Sequence, residues 1–330
     1  LATAELTLDL CEGLQDRGLI LKDATPLNVL FQGTQPVFVD VLSIEERDPA
    51  SPLWLAYAQF VRTFLLPLLA HEAMGWPLSA SIQRRDGYEP ADLAPYLGRW
   101  QRWRSPFRLL VTLPLMLEKN ARPGTQKTAQ IRQNPELALK VLRRNLGGLR
   151  QYVRNVGESL RAGQGSSRWG DYAAAANHYS GEDRDRKGMF VREALTAARP
   201  KHVLDLGANS GVYSRIAAEC GASVVAWDTD IPATEQNWKT AQERRLPILP
   251  LLVNPARPTP AVGWRNAESL SLLERGRGRF DCVLMLGFIH HLLLAEQIPL
   301  DPIAGWLREL TTQWAWLEWV PATDPRFVDL

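Results

Sequence analysis

An apolar run that ends in a glycine-bearing turn constrains the fold of this chain more than any other feature of its sequence. It reads Val203-Leu-Asp-Leu-Gly-Ala-Asn-Ser-Gly211 and passes into a helical pattern from Val212 to Glu219. Gly207 and Gly211 lack a Cβ, so the turn can be tight and a ligand can approach its backbone closely. A strand that leads through such a turn into a helix is typical of the carboxyl edge of an α/β sheet, where ligands bind.

Strand-like runs alternate with helix-length segments through the rest of the chain. The runs cover residues 202–206, 223–227, 247–253, 281–286 and 315–320. This alternation predicts a parallel sheet with crossover helices. The predicted fold class is therefore α/β, with a Rossmann-like, mostly parallel sheet that follows a mainly helical N-terminal region.

Length and local composition predict how the chain is divided. Its 330 residues suffice for about two average domains. A polar, flexible patch at residues 163–167 separates a long helical pattern, 135–160, from the strand-rich region. Gly147-Gly148 leaves open whether that pattern is one helix or a helical hairpin. We predict three regions: a hairpin with helices at 1–80, a basic helical module at 81–165 and a ligand-binding domain at 166–330.

Cysteine usage and hydropathy indicate the compartment. Cys11, Cys220 and Cys282 lie far apart without a CxxC pair, which argues against a zinc ribbon, an iron–sulfur cluster and a disulfide scaffold. Apolar runs are far shorter than the roughly 18 residues that span a bilayer, and no signal-peptide pattern opens the chain. We therefore expect a soluble, cytoplasmic protein with no metal site and no membrane partner. A start at Leu1 rather than Met, and an end soon after a strand-like run, indicate trimmed termini.

Charge is distributed unevenly, although the formal net charge is only +2. Residues 82–170 contain 17 Lys and Arg against 6 Asp and Glu. Tryptophans and arginines interleave there and could stack bases and hold phosphates of an RNA; they are Trp100, Trp103 and Trp169 with Arg99, Arg102, Arg104 and Arg108. Because no recognised RNA-binding motif is present, a solvated helical face or a domain interface is the preferred interpretation. An anionic small molecule or a saccharide would also suit the charge.

A second acid completes the pattern around the glycine turn. The next strand-like run ends in Asp228, seventeen residues after Gly211, where a carboxylate can accept both ribose hydroxyls of a nucleoside cofactor. A dinucleotide fold favours G-x-G-x-x-G, but here the order is Asp-x-Gly-x-x-x-Gly with Asp205 at the strand end. A carboxylate at that position suits an aminoacyl ammonium or sulfonium ligand better than a diphosphate. A nicotinamide enzyme remains the alternative.

These residues resemble the first motif of the class I S-adenosylmethionine-dependent methyltransferases. The resemblance extends over residues 168–330 and includes the fourth strand with its turn, 280–292. It implies S-adenosyl-L-methionine as cofactor and methyl transfer to an O or N nucleophile of an unidentified acceptor. The cofactor-binding residues that it implies are Asp205, Gly207, Ala208, Asn209, Gly211, Asp228 and Asn254.

Further motifs resemble a bacterial methyltransferase family related to nodulation proteins. They are Trp169-Gly-Asp-Tyr172, His178-Tyr-Ser180, Gly181-Glu-Asp183, Pro258-Thr-Pro260, Gly263-Trp264, Glu318-Trp-Val-Pro321 and Thr323-Asp-Pro325. Members of that family carry an upstream segment like the one in this chain. A catalytically inactive, methyltransferase-like scaffold or binding protein is the competing interpretation.

The upstream segment contains a loop that resembles the catalytic loop of aminoglycoside-type and small-molecule kinases. In such a kinase Asp23 would accept the hydroxyl proton, while Asn28 and Asp40 would hold magnesium. Lys22 stands where that family has His-Gly, and the 20 residues before Leu21 leave no room for a nucleotide-binding lobe. We therefore interpret the loop as a relic or a structural turn, braced by Asp and Asn side chains.

Candidate acceptor-side residues follow the last two strands. His290 and His291 come after the fourth strand and Glu318 ends the fifth, so each could act as a base at the carboxyl edge. The alternatives are that the two histidines only start a helix and that Glu318 only forms a salt bridge. Tyr172, His178 and Tyr179 precede the first strand and form either a lid over the cofactor or simple aromatic packing.

Overall fold

The computed structural model describes residues 1–119, 134–162 and 181–319. Its chain forms two units. The first comprises residues 1–30 and 36–163, and the second comprises residues 31–35 and 164–330. Within the described residues, no helix combines the length and the apolar composition that crossing a bilayer requires.

The N-terminal part of the chain is mainly helical, as predicted. Its helices and strands are α1 (Ala2–Gln15), β1 (Leu19–Leu21), β2 (Val29–Gln32), β3 (Gln35–Phe38), β4 (Ile44–Glu46), α2 (Tyr57–Phe60), α3 (Leu66–Met74), α4 (Pro90–Leu93), α5 (Leu113–Lys119) and α6 (Pro135–Ala162). Strand β1 pairs with β4 in antiparallel orientation, and β2 pairs with β3. Wide π-helical turns join α2 to α3 and precede α5.

Helix α6 provides the longest apolar stripe of the first unit. Its buried side chains recur at helical spacing and include Leu142, Leu146, Leu149, Val153 and Val156. They pack with residues of α1 and α3 in one hydrophobic cluster. Gly147 and Gly148 do not interrupt this helix, so the predicted pattern at 135–160 is a single helix rather than a hairpin.

The second unit contains the α/β sheet and its helices. They are α7 (Gly181–Ala198), β5 (His202–Leu206), α8 (Val212–Glu219), β6 (Ser223–Asp228), α9 (Ile231–Glu243), β7 (Ile248–Leu252), α10 (Leu272–Gly276), β8 (Phe280–Met285), α11 (Leu300–Leu310) and β9 (Thr311–Leu317).

Within the described residues the sheet has five strands, which are all parallel and lie in the order β7-β6-β5-β8-β9. When the strands of this sheet are numbered from 1 along the chain, the order is 3-2-1-4-5, which is that of a doubly wound sheet. The predicted Rossmann-like α/β fold is therefore confirmed. The order reverses between β5 and β8. In such sheets ligands bind at the carboxyl ends of the strands that flank the reversal.

Alternation along the strands sends side chains to two separate core layers. Val203 of β5 belongs to the layer beneath α7, α8 and α9, whereas Leu204 and Leu206 belong to the layer beneath α11. Asp205 lies between these two leucines in the sequence, so its side chain is on the same face of the sheet as Val203. Burial of apolar surface on both faces explains why these strands read as nearly continuous apolar runs.

Candidate functional site at the carboxyl edge of the sheet

The glycine turn after β5 is held against the neighbouring strand by its own backbone. The amides of Gly207 and Ala208 both donate to the carbonyl oxygen of Trp227, at 2.9 and 3.1 Å. Gly207, Asn209 and Gly211 have φ values of 72°, 49° and 79°, in the left-handed region. The turn therefore needs residues that tolerate positive φ, which glycine and asparagine do better than other residues.

Asp228 joins this turn to the end of β6. One carboxylate oxygen, Oδ2, accepts the backbone N–H of Asn209 at 2.6 Å, and the other, Oδ1, accepts the N–H of Asp230 at 2.8 Å. Burial raises the pKa of Asp228, while the backbone N–H donors that face it oppose that rise. The sequence-derived acid and the sequence-derived turn are thus directly hydrogen-bonded.

Asp205 lies beneath the turn rather than on its surface. Its side chain is almost completely buried, and its Oδ2 accepts a hydrogen bond from the hydroxyl of Ser214 at 2.6 Å. Burial raises the pKa of Asp205 to about 6, although the bond from Ser214 acts in the opposite direction. The pair fixes the first turn of α8 to the end of β5.

Close neighbours of the turn also leave no room for a Cβ atom at Gly207 and Gly211. A Cβ on Gly207 would lie 2.7 Å from the ring of Phe288, which follows β8, and a Cβ on Gly211 would lie 2.1 Å from Oδ1 of Asn237. Asn237 is a buried residue of α9. The turn consequently packs against the loop after β8 and against α9 with no space for a side chain.

Asn254 follows β7 at the same edge of the sheet. Its side-chain oxygen accepts the backbone N–H of Ala256 at 2.9 Å, which forms a local turn. Of the predicted cofactor residues, Asp228 is hydrogen-bonded to the 207–211 turn, Asp205 is bonded to Ser214 of the following helix, and Asn254 braces its own loop.

Glu318 after β9 is paired with a lysine that sequence reasoning missed. Its Oε2 lies 2.5 Å from Nζ of Lys187, and its backbone N–H donates to the carbonyl oxygen of Met285 at the end of β8. Lys187 comes from α7, and its Nζ also lies 4.8 Å from the ring centre of Tyr213. Burial lowers the pKa of Lys187, but its partners Glu318 and Tyr213 outweigh burial and raise it overall. Glu318 is therefore the acidic half of an ion pair.

The two histidines lie side by side after β8. Their ring centres are 4.3 Å apart, and His290 is buried. Burial, with a smaller contribution from His290, lowers the pKa of His291 to about 4. His291 is thus uncharged at pH 7 and able to accept a proton, although weakly. It begins a π-helical turn, His291–Ala295, rather than an ordinary helix.

The kinase-like loop brings two of its three predicted residues together. Nδ2 of Asn28 donates to Oδ2 of Asp40 at 3.2 Å, and the hydroxyl of Thr25 accepts the N–H of Leu27 at the start of the turn Pro26–Asn28. These bonds brace the loop. Among the residues that the structure describes, no group of three or more His, Cys, Asp and Glu side chains could hold a metal ion.

Several predicted residues lie outside the described part of the chain. They are Trp169, Tyr172, His178 and Tyr179, together with the C-terminal motifs from residue 320 onward. The proposed lid therefore stays a prediction.

Sequence reasoning also missed Ser214, Tyr213 and Asn237, which contact the predicted residues or their partners. Ser214 and Tyr213 lie in the first turn of α8, directly after the glycine turn, and Asn237 lies in α9. A polar residue inside an apolar helical pattern is the signal that could have identified Ser214. Tyr213 and Asn237 acquire their neighbours only when distant segments meet.

Comparisons with known proteins identify a relative that matches nearly the whole chain. Nodulation protein NoeA of Rhizobium meliloti (strain 1021) is 30% identical over 326 residues, which cover 98% of this chain and 67% of NoeA. No protein-family model matches the chain.

Three solved structures are more distantly similar. The bifunctional kinase-methyltransferase WbdD is 19% identical with a TM-score of 0.34, over 43% of this chain and 30% of WbdD. TehB from Haemophilus influenzae is 18% identical with a TM-score of 0.28, over 37% and 36%. A SAM-dependent methyltransferase from Agrobacterium tumefaciens is 23% identical with a TM-score of 0.24, over 31% of each chain. The match therefore spans about a third of each of these proteins.

Proposed function

The chain belongs to the family of the nodulation protein NoeA, and from that premise we propose that it is an S-adenosylmethionine-dependent methyltransferase acting on an O or N nucleophile. The observation that carries the proposal is the hydrogen bond between Asp228 and the glycine turn at the carboxyl edge of the sheet, with Asp205 in the strand that leads into this turn. Ligands of doubly wound folds bind at this edge, beside the point where the strand order reverses.

The chemistry of these residues fits an adenosyl sulfonium cofactor better than a dinucleotide. Asp228 accepts a hydrogen bond from the turn, and Asp205 lies in the strand that leads into it, so two carboxyl groups are close to this edge of the sheet. A second negative group such as a diphosphate would be repelled there, whereas a sulfonium and an ammonium would be attracted.

Each residue then has a defined task in this proposal. Asp228 accepts the ribose hydroxyls, and the backbone at Ala208 and Asn209 lines the methionine end. Asp205 keeps the turn in place through Ser214. Asn254 shapes the loop beside the adenine. S-adenosylmethionine supplies an already activated methyl group, so the protein's main contribution is to hold the acceptor in line and exclude water.

Proton removal from the acceptor requires a base. The two candidates, His291 and Glu318, differ in whether they must leave an ion pair before they can accept the proton. His291 is uncharged at pH 7, so it can accept a proton without first leaving an ion pair, although its lowered pKa makes it a weak base. Glu318 must first release Lys187, with which it forms a partly buried ion pair. We therefore assign proton acceptance to the histidine pair and assign Glu318 to positioning Lys187 beside Tyr213.

Calorimetric titration of the purified chain tests the cofactor. S-adenosylmethionine, S-adenosylhomocysteine, NAD and magnesium–ATP are titrated in one buffer, and only the two adenosyl ligands are expected to bind. Asp228→Asn serves as the variant because one amide oxygen still accepts a backbone N–H, whereas Asp228→Ala would leave both N–H groups without the carboxylate. We expect a loss of affinity of about tenfold or more, since a charged acceptor of two hydroxyls is replaced.

The outcomes separate the alternatives. Unchanged affinity in Asp228→Asn would remove the ribose assignment, and binding of NAD alone would indicate a nicotinamide enzyme. If no ligand binds to a folded chain, an inactive scaffold becomes the better interpretation. Binding of the adenosyl ligands justifies a search for the acceptor with labelled methyl donor in cell extracts, among anionic small molecules and saccharides first.

A further inference from the structure

Two tryptophans of the basic segment project from the surface side by side. Trp100 is 85% exposed and Trp103 is 56% exposed. Trp100 precedes the 3₁₀ turn Gln101–Trp103 and Trp103 ends it, and the N–H of Trp103 donates to the carbonyl oxygen of Trp100 at 3.2 Å. Side chains three residues apart on a 3₁₀ turn lie one above the other, so both indoles point to the same side.

The turn that carries them is firmly braced. The guanidinium of Arg102 donates to the carbonyl oxygens of Leu97 and Ala94, at 3.1 and 2.6 Å. The hydroxyl of Thr112 donates to the carbonyl oxygen of Arg102 at 2.7 Å. Exposure of the two indoles is therefore a property of an ordered turn whose own polar groups are satisfied.

Aliphatic side chains extend the exposed apolar surface along the adjoining helical segment. Leu109 is 44% exposed and Leu117 is 67% exposed, and Met116 between them is exposed as well. Leu109 and Met116 lie about one helical turn before and after Thr112, the residue that contacts the tryptophan turn. Large apolar side chains gathered in this way usually mark an interaction surface.

The segment that carries these side chains is positively charged. Residues 96–117 contain four arginines and no acidic residue. Arg102 is used inside the turn, whereas Arg99, Arg104 and Arg108 are exposed. We define the tryptophan patch as Trp100, Trp103, Leu109 and Leu117 with these three exposed arginines.

We propose that the tryptophan patch binds the surface of a bilayer that carries anionic headgroups. Indoles reside at the boundary between headgroups and acyl chains, leucines enter the acyl region, and arginines contact the negative headgroups while their stems stay in apolar surroundings. A nucleic acid would use the indoles and arginines but would have no use for exposed leucines. The combination of all three therefore favours a lipid surface.

This inference differs from the expectation of no membrane partner, which rested on hydropathy along the sequence. A hydropathy run reports only consecutive apolar residues, whereas the patch is assembled from a turn and a helix in three dimensions. The absence of a spanning helix among the described residues does not bear on it, because a protein can lie on a bilayer without crossing it. The inference is independent of the proposed methyl transfer.

Co-sedimentation of the full chain with vesicles tests the proposal. One set of vesicles contains phosphatidylcholine alone and the other contains phosphatidylcholine mixed with phosphatidylglycerol. We expect binding to the mixed vesicles and weaker binding at high salt. Each of Arg99→Gln and Arg104→Gln should weaken it about fivefold, the contribution of one cationic side chain near an anionic surface. The double variant Trp100→Ser and Trp103→Ser should weaken it about tenfold or more at either salt concentration, because indole burial is not screened.

Trp264→Ser is the matched control. Trp264 is 77% exposed and precedes an arginine, but it belongs to the second unit. It should leave vesicle binding unchanged, and circular dichroism should show all variants folded. The proposal is overturned if the wild-type chain does not sediment with mixed vesicles, if the double tryptophan variant binds like the wild type, or if both vesicle types bind equally. Tighter binding of a single-stranded RNA, lost in the same variants, would overturn it in favour of nucleic acid.

Discussion

Asp205 and His291 respond to pH in opposite directions because burial disfavours the charged form of each. The folded-state pKa of Asp205 is raised from 3.8 to about 6, so the folded chain keeps a proton that the unfolded chain has released. Its contribution to stability is present at low pH and is lost as pH rises to about 6. The pKa of His291 is lowered from 6.5 to about 4, so its contribution is present above 6.5 and is lost as pH falls.

These two titrations overlap between about pH 4 and pH 6, where they offset one another in the wild-type chain. Removing either group should therefore reveal the pH dependence of stability that the other group causes. We expect Asp205→Asn, which keeps the size of the side chain and an acceptor for Ser214, to raise the free energy of unfolding at pH 7.5 by at most about 3 kcal/mol and to leave it nearly unchanged at pH 4. Cofactor affinity should fall in the same variant, since stability and function commonly oppose each other at such sites.

Urea unfolding followed by tryptophan fluorescence at pH 4 and pH 7.5 measures this difference. His291→Gln is the counterpart variant. We expect it to raise the free energy of unfolding above that of the wild type at acid pH rather than at pH 7.5. A wild-type chain and an Asp205→Asn variant with the same dependence of stability on pH would contradict the burial of an acidic group at this position.

The sequence could predict the acidic residues of the site but not the side chains that contact them or the glycine turn from distant segments. The identities of Asp205 and Asp228 follow from their places at strand ends, where acids interrupt apolar runs. Lys187 and Asn237 carry no such signal, because α7 and α9 bring them to Glu318 and Gly211 only through tertiary packing.

At the scale of elements, prediction succeeded where burial imposes a continuous apolar pattern. β5 begins and ends as predicted, and the structure moves the ends of β6, β7 and β8 by a single residue. β9 was predicted to begin at residue 315 but begins at Thr311. It follows α11 without a loop, and as an edge strand with largely exposed residues it tolerates Thr and Gln where an inner strand would need apolar side chains.

Positive φ values and close neighbours constrain both glycines of the turn between β5 and α8. We expect Gly207→Ala to lower the affinity for S-adenosylhomocysteine by more than about tenfold, because a Cβ would displace Phe288 and with it the loop after β8. The positive φ adds a strain of about 1–2 kcal/mol to the folded state.

Gly221→Ala separates that strain from the clash. Gly221 also has a positive φ, 95°, but a Cβ at this residue would have no atom within 4 Å of it beyond its chain neighbours. The variant should lose stability by a similar strain and retain ligand affinity in the same titration. Equal losses of affinity in both variants would mean that backbone strain alone, and not the clash with Phe288, explains the effect of Gly207→Ala.

For the molecule as a whole, the hydrophobic clusters follow the division into two units. Every residue of the cluster built on α1, α3 and α6 lies in the first unit, and both clusters that flank the sheet lie in the second. A unit that encloses its own apolar core meets the main requirement for independent folding. The sequence pointed to a boundary near residues 163–167 through composition alone, because a polar, glycine-containing stretch seldom contributes to a core.

Residues 164–330 make up the second unit apart from its 31–35 segment, which contributes no residue to either core cluster that flanks the sheet. We therefore expect residues 164–330, produced alone, to fold and to bind S-adenosylhomocysteine within about tenfold of the affinity of the full chain. The predicted cofactor residues and the hydrogen bonds that join them all lie within this fragment. Far-UV circular dichroism establishes whether it folds, and titration calorimetry gives the affinity. A folded fragment that fails to bind would show that the first unit completes the cofactor site, whereas retained binding would leave the first unit to act on the acceptor or on another partner.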